Sequence, residues 1–213
     1  MEIKTQHFDY TYLPAVNFGQ TSAQKIMVVM HGLGDSKTSY VDFCKELNVS
    51  GLQYLIINGP IDYYGGYAWY EPPPGPPQQS LINSLEKLEN LMEELLKQGF
   101  ENEDIFVLGF SQGGCMSLEH LYRRKEKLGG VVALSPKMYP IKEDLSPNKN
   151  QVETPLYVTH GLYDDLIPYS EVEKGCLELG ERGFKPIHKS YPIGHEIDFD
   201  EIEDLRNWIN EYL

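Results

Sequence analysis

The chain has 213 residues, of which 41% are hydrophobic and 12% aromatic, enough apolar side chain to fill the core of one domain spanning residues 1–213. Its 18 Lys and Arg against 32 Asp and Glu give a formal net charge of −14, which excludes the broad basic surface that nucleic acids require. The same charge argues against docking on anionic lipid head groups, so we expect a soluble protein with neutral or cationic partners.

The cysteines and the N-terminal segment indicate the cellular compartment of the protein. Cys44, Cys115 and Cys176 are widely spaced and form no CxxC pair, so we predict free, buried thiols in a reducing compartment. The first ten residues lack the apolar stretch of a secretory signal, and no apolar run is long enough to span a membrane. The cytoplasm, without stable membrane insertion, is therefore the expected location.

Short apolar runs alternate along the chain with longer segments of helical periodicity. Strands are predicted at residues 26–30, 54–57, 105–108, 131–134 and 156–159, with an alternating, half-exposed strand at 185–191. Helices are predicted at residues 81–98, where Gly99 follows as a terminating residue, and at 112–126, 169–181 and 199–212. Residues 62–77 and 137–153 are predicted to be irregular. This order is typical of an α/β fold with a mostly parallel central sheet flanked by helices.

A candidate nucleophile lies in the middle of the chain. Residues 109–113, GFSQG, match the G-x-S-x-G pattern, with a predicted strand before it and a predicted helix after it. A serine on so sharp a turn has a strained backbone and needs small neighbours, which Gly109 and Gly113 provide. Ser111 is therefore the predicted nucleophile. The alternative is a serine that caps a helix in a glycine-rich turn.

A serine nucleophile needs a histidine as base and a carboxylate that orients the histidine. In α/β-hydrolases these follow the serine in the order acid, then histidine. His195 lies in a predicted loop before the last helix, and we prefer it to His188, which falls within a predicted strand. The acid is Asp164 or Asp165, because both follow the strand at 156–159 and spacing does not separate them.

Acyl transfer also requires N–H donors for the negative charge that develops on the substrate oxygen. One candidate donor is the backbone amide of Gln112, directly after the serine. The other is the amide of Leu33, which glycines flank in the HGLGD stretch at residues 31–35. This stretch alone is equally consistent with a glycine-rich strand exit of no catalytic importance. A similar stretch, HGLYD at residues 160–164, also follows a strand, which predicts that both lie at the same edge of the sheet.

These stretches together resemble the phospholipase/carboxylesterase family of α/β-hydrolases, which includes acyl-protein thioesterases and small carboxylesterases. The matching segments are HGLGD at 31–35, AWY at 68–70, GFSQGG at 109–114, HGxxDxxIP at 160–168 and GHE at 194–196. The resemblance implies an α/β-hydrolase fold, a triad of Ser111, Asp164 and His195, an oxyanion hole formed by the amides of Leu33 and Gln112, and no cofactor or metal. It also implies hydrolysis of carboxylic esters or thioesters through an acyl-enzyme, with a small ester, a lysophospholipid or an acylated protein as substrate.

Two features bear on the predicted cleft. Trp69 and Tyr70 are candidate substrate-binding residues, and the proline-rich residues 72–77 after them form either a stiff wall near the acyl group or an ordinary surface loop. Only 18 residues separate Pro136 from Pro155, which is too short for a large lid and predicts an open, shallow site.

Two other classes of function remain open from the sequence. A metal-dependent hydrolase could use five residues that follow predicted strands, although these include no compact ligand pair: His31, Asp35, His160, Asp164 and His195. A binding protein without catalytic activity could use the segment rich in tyrosine and proline as its contact surface. The sequence does not specify the acyl chain length or the oligomeric state.

Overall fold

A central sheet and the helices that cover it make up the structure, a computed structural model that describes residues 3–16, 25–72, 79–141 and 146–213. The strands are β1 (Tyr10–Leu13), β2 (Lys25–Met30), β3 (Leu52–Ile57), β4 (Ile61–Tyr63), β5 (Gly66–Ala68), β6 (Ile105–Phe110), β7 (Gly130–Leu134), β8 (Leu156–Gly161) and β9 (Pro186–Tyr191). The helices are α1 (Tyr40–Leu47), α2 (Gln79–Lys97), α3 (Gln112–Arg123), α4 (Lys149–Glu153), α5 (Tyr169–Glu181) and α6 (Phe199–Asn210).

Seven of these strands form the sheet, in the order β1-β3-β2-β6-β7-β8-β9. Strand β1 pairs antiparallel with β3, and all the other neighbours pair in parallel. Strands β4 and β5 form a separate antiparallel hairpin. The predicted α/β class with a mostly parallel sheet is confirmed.

The central strands are apolar along their whole length because helices cover both faces of the sheet. In β2, Val28 and Met30 point into a core formed with α2, α3 and α5, whereas Met27 and Val29 point into a second core formed with α1 and α6. Successive residues of a strand face opposite sides, so an uninterrupted apolar run serves both cores. The carboxyl ends of β2, β6 and β8 consequently reach one edge, where the polar motifs follow them.

The predicted strands and helices are all present, with ends that differ by a few residues. Helix α2 ends at Lys97, and Gly99 has a φ of 99°, as predicted for a residue that terminates a helix. Strand β8 extends to Gly161, so His160 belongs to the strand rather than following it. Helix α3 ends at Arg123 and α6 at Asn210, two or three residues before the predicted ends.

Four elements were not predicted: β1, α1, α4 and the β4–β5 hairpin. The hairpin falls in the segment rich in tyrosine that was predicted to be irregular, and that prediction is wrong there. Its turn has positive φ at Tyr64 and Gly65, the geometry of a type I′ turn, but lacks the Asn-Gly pair that usually reveals one. Helix α4 falls within 137–153, where a capping box between Asn148 and Gln151 stabilises its first turn. Residues 73–77 of the proline-rich stretch lie outside the described residues.

Cys44, Cys115 and Cys176 are buried and free, as predicted. Burial raises the pKa of Cys115 and of Cys176 to about 12, so both thiols are protonated at neutral pH. Within the described ranges, no helix combines the length and the apolar character that crossing a bilayer requires.

Replacing Leu88 with alanine should destabilise the fold by about 2–5 kcal/mol, because this residue of α2 is fully buried in the core and its loss leaves a cavity. Leu177 on α5 is 66% exposed and provides a matched control, whose replacement with alanine should change stability by less than about 0.5 kcal/mol. Urea unfolding monitored by circular dichroism measures both values. Equal losses for the two variants would contradict the core described above.

Candidate active site

Ser111 forms the entire connection between β6 and α3, because the strand ends at Phe110 and the helix begins at Gln112. Its backbone has φ 55° and ψ −111°, a conformation that residues other than glycine rarely adopt. Two hydrogen bonds hold this bend: the Ser111 N–H donates to the Leu134 carbonyl at 2.8 Å, and the Ser111 carbonyl accepts from the Cys115 N–H at 3.0 Å. The side chain is thereby directed out of the sheet edge.

The glycines around Ser111 are required by close backbone contacts. A Cβ atom at Gly109 would lie 2.0 Å from the carbonyl oxygen of Gly113, and one at Gly113 would lie 2.4 Å from that of Met30. Neither position has room for a side chain, so α3 can pack this closely on the ends of β2 and β6. The spacing of the sequence motif therefore reflects direct steric contact.

His195 lies between Ser111 and Asp164. Its Nε2 is 2.9 Å from Ser111 Oγ, and its Nδ1 is 2.6 Å from Asp164 Oδ2. The imidazole lies 4.8 Å from the ring of Phe110, which packs beside it. His188 lies on β9, where its ring stacks on Tyr169 at 5.8 Å, so the structure brings His195 and not His188 to the serine.

The surroundings of Asp164 distinguish it from Asp165. The Asp164 side chain is fully buried, and its Oδ1 accepts hydrogen bonds from the N–H groups of Leu166 at 2.9 Å and Ile167 at 2.8 Å. Burial alone would raise the pKa of Asp164, but the Ile167 N–H and the adjacent His195 outweigh it, and the pKa lies below its ordinary value. Asp164 is therefore ionised at neutral pH beside the imidazole, whereas Asp165 is exposed.

His160 supports the loop that carries Asp164. Its Nε2 donates a hydrogen bond to the Ile167 carbonyl at 2.7 Å and lies 3.3 Å from Asp164 Oδ2. Burial lowers the pKa of His160, so the ring is neutral at pH 7. This histidine positions the loop from beneath and does not face the cleft.

The backbone around Leu33 is held by a buried histidine. His31 donates from Nδ1 to the Gly32 carbonyl at 2.6 Å and accepts at Nε2 from the Gly59 N–H at 2.9 Å. The Gly34 N–H donates to the Tyr67 carbonyl at 2.9 Å, which joins this loop to strand β5. The predicted oxyanion donor Leu33 therefore lies on a loop with fixed backbone.

The Gln112 side chain ties the serine turn to the opposite wall of the cleft. It is buried, its Oε1 accepts from the Trp69 N–H at 2.7 Å, and its Nε2 donates to the Tyr70 carbonyl at 2.8 Å. The Trp69 indole in turn donates to the His31 carbonyl at 2.8 Å, and its ring is fully buried. The prediction of Trp69 as a substrate-binding residue is therefore wrong: the side chain anchors the surrounding loops. Tyr70 does line the cleft.

An open cleft of about 480 Å³ surrounds Ser111. The lining includes the two predicted oxyanion residues, Ser111, His195 and several apolar side chains. The full set is Gly32, Leu33, Asp35, Tyr70, Pro72, Phe110, Ser111, Gln112, Lys137, Tyr139, Leu166, Ile167 and His195. In the described part of the segment between β7 and β8, the only helix is the five-residue α4. The first residues of a helix leave N–H groups without partners inside the helix, which suits the amide of Gln112 to binding an anionic oxygen.

The part of the chain that the structure describes does not assemble the donor set of a metal site. Among the described residues, no three His, Cys, Asp or Glu side chains form a group that could hold a metal ion. Of the five residues considered from the sequence, His31 uses both ring nitrogens for backbone groups in the core, and His195 uses both for Asp164 and Ser111. Neither histidine therefore has a ring nitrogen available for a metal ion.

A buried acid lies in the helix that follows the His195 loop. Glu201, in the first turn of α6, accepts a short hydrogen bond at Oε1 from the Thr159 hydroxyl, while its Oε2 has no hydrogen-bond partner among the described residues. Burial raises the pKa of Glu201 to about 7. The sequence alone does not reveal this acid, because α6 also contains acidic residues that are exposed, Asp200 and Glu203.

Comparison with known proteins places the chain among esterases. Residues 12–213 match the phospholipase/carboxylesterase family model. Acyl-protein thioesterase 1 of Debaryomyces hansenii is 32% identical over an alignment that covers 94% of this chain and 97% of that protein.

Solved structures show the same fold. Arabidopsis thaliana SOBER1 superposes with a TM-score of 0.81 at 22% identity, covering 89% of this chain and 99% of that chain. A carboxylesterase from Mesorhizobium loti superposes with a TM-score of 0.83 at 19% identity, covering 98% of each. The α/β-hydrolase fold implied by the sequence motifs is therefore confirmed.

Replacing Glu201 with glutamine should change how stability depends on pH. Because the pKa of Glu201 is about 7 in the folded protein against an ordinary 4.5, the folded state retains a proton that the unfolded chain loses between these values. The contribution of Glu201 to the free energy of unfolding is therefore complete below pH 4.5 and is lost as the pH rises through 7, by at most about 3 kcal/mol. Glutamine keeps an oxygen for Thr159 and carries no charge, so the stability of the variant relative to the parent should rise between pH 5 and pH 8.

Urea unfolding at several pH values measures this difference. The control is Glu203→Gln, an exposed glutamate on the same helix, which should shift stability by less than about 0.5 kcal/mol at every pH. A constant difference between Glu201→Gln and the parent from pH 5 to pH 8 would contradict the assignment.

Proposed function

Because the chain belongs to the phospholipase/carboxylesterase family and is thus a carboxylic ester hydrolase, we propose that it cleaves esters and thioesters through Ser111, Asp164 and His195. The observation that carries the proposal is the continuous hydrogen-bonded path from Asp164 Oδ2 through both nitrogens of His195 to Ser111 Oγ. A serine hydroxyl is a weak nucleophile unless a base accepts its proton, and this path supplies an oriented base.

In the first half of the reaction, Ser111 Oγ attacks the carbonyl carbon of the substrate and its proton passes to His195 Nε2. Asp164, ionised and held by two N–H groups, stabilises the positive charge that forms on the imidazole. The backbone amides of Leu33 and Gln112 donate to the carbonyl oxygen as it becomes negative. The C–O or C–S bond then breaks, the departing alcohol or thiol takes the proton from His195, and an acyl-Ser111 ester remains.

In the second half, a water molecule attacks the acyl-serine carbonyl and gives a proton to His195. The same two amides stabilise the second oxyanion. The bond to Ser111 Oγ breaks, the serine recovers its proton from His195, and the carboxylic acid leaves. No cofactor is needed for either half.

The open cleft supports substrates whose leaving group extends into solvent. Tyr139, Leu166 and Phe110 give its lining an apolar character that suits an acyl chain. A relative with matching length is named an acyl-protein thioesterase, which supports an acylated protein as one substrate, beside small esters and lysophospholipids. The buried free thiols fit the cytoplasm as the location.

Replacing Ser111 with alanine should lower kcat on a p-nitrophenyl ester by at least about 10³-fold, because the nucleophile is lost. Circular dichroism should show an unchanged fold. Mass spectrometry of the parent after treatment with a fluorophosphonate should place the adduct on the peptide that contains Ser111, and hydrolysis should persist in EDTA. Turnover near the parent rate in the alanine variant would show that the proposed mechanism is wrong.

The two histidines that follow the acid in the sequence offer a matched comparison. His195→Asn should lower kcat by at least about 10³-fold, because no base remains beside Ser111 Oγ. His188→Asn should stay within about threefold of the parent, because that ring stacks on Tyr169 and does not reach the cleft. Steady-state kinetics on the same ester measures both, and equal losses would exclude His195 as a specific base.

A further inference from the structure

The mouth of the cleft exposes large apolar side chains on both sides of Ser111. Leu33 follows β2 and is 39% exposed, and Leu166 follows β8 and is 70% exposed, while β6 and Ser111 lie between these strands in the sheet. Tyr163, in the same loop as Leu166, is 71% exposed. Apolar side chains grouped around a reactive serine indicate a surface that a partner covers during the reaction.

Carboxylates accompany these apolar side chains. Asp35 itself lines the cleft. Three exposed acids are chain neighbours of lining or triad residues: Glu71 lies between two lining residues, Asp165 directly follows the triad acid, and Glu196 directly follows the triad histidine. Four negative charges therefore lie on or next to the walls of one opening.

Within the described ranges, no lysine or arginine balances these charges. No Lys or Arg among the described residues forms an ion pair with Asp35, Glu71, Asp165 or Glu196, although acids elsewhere are paired, such as Glu103 with a lysine at 2.7 Å. The basic side chain in the cleft lining, Lys137, is neutralised by Glu171, whose Oε2 is 2.6 Å from the Lys137 Nζ. The opening thus has an excess of negative charge in a chain whose net charge is already −14.

We propose that the preferred substrates are acyl groups on polypeptide segments whose side chains next to the acylated residue are lysine or arginine. This extends the proposed hydrolase function to the part of the substrate that remains outside the cleft. The acyl chain occupies the apolar cleft, and the flanking cations meet the carboxylates that lack a described lysine or arginine partner. This attraction speeds the encounter and selects among partners. An anionic head group would meet the same carboxylates with a repulsive interaction, so anionic lipid is disfavoured.

Three synthetic peptides of equal length test the proposal. Each carries one S-octanoyl cysteine, flanked on both sides by two lysines, two serines or two glutamates. At low ionic strength, kcat/KM should fall in the order lysine, serine, glutamate, with at least about a tenfold difference between the extremes. In 0.5 M NaCl the difference should shrink to about threefold or less, because salt screens exposed charges.

Variants of the cleft mouth then locate the effect. The double variant Glu71→Gln and Asp165→Asn should lower the lysine-to-glutamate ratio of kcat/KM by about fivefold. The control is Glu181→Gln with Glu211→Gln, which removes the same amount of charge. These exposed residues lie at the far ends of α5 and α6, about 18 Å along each helix from the end nearest the cleft. The control should leave the ratio unchanged.

Fluorescence anisotropy measures how tightly each peptide binds to the Ser111→Ala variant, which separates recognition from chemistry. The affinity should fall in the same order of lysine, serine and glutamate peptides. Equal kcat/KM values for the three peptides would overturn the proposal while leaving the hydrolase function intact. Hydrolysis of a lysophospholipid, or of peptides on anionic vesicles, faster than of the free lysine peptide would overturn it in favour of a lipid surface. Failure to hydrolyse any peptide, without labelling of Ser111, would instead refute the proposed function.

Discussion

The site depends on one strained residue between a strand and a helix. Ser111 keeps a positive φ because its own N–H and C=O groups are bonded to β7 and α3, and because glycines allow α3 to approach β2 and β6. A relaxed backbone at this point would move the start of α3 and turn the hydroxyl away from His195. The cost of the strain, of order 1–3 kcal/mol, is offset by the packing of the central sheet around it.

Buried polar side chains extend this constraint to the rest of the cleft. His31, Trp69 and Gln112 have their polar atoms bonded to backbone groups of neighbouring loops, at distances between 2.6 and 2.9 Å. A buried polar atom that loses its partner costs about 1–3 kcal/mol, so these bonds resist any displacement of the loops. The loops that carry the two predicted oxyanion amides are consequently connected through these three side chains.

Much of this arrangement could be predicted from the sequence, for identifiable physical reasons. A strand buried on both faces must be apolar throughout, and a serine at a strained turn must have glycines beside it, so both leave local patterns. The choice between Asp164 and Asp165 leaves no such pattern, because it depends on which carboxylate meets the N–H groups of the following residues. The prediction that Trp69 binds substrate was wrong for a similar reason. Its motif indicates that the residue lies near the site but not the direction in which the ring points.

The contrast between the interior and the rim of the cleft bears on how substrates are selected. Hydrogen bonds link Ser111, His195 and Asp164 to one another and to the backbone. The acids Glu71, Asp165 and Glu196, in contrast, are exposed and form no ion pair with the described lysines and arginines. Exposed side chains contribute little to folding, so rim residues can be exchanged with little effect on the geometry around Ser111. Under the proposed function, a rigid reacting centre surrounded by replaceable charges would let one arrangement of Ser111, Asp164 and His195 accept different acylated partners, and the sign of the rim charge would determine which of them approach.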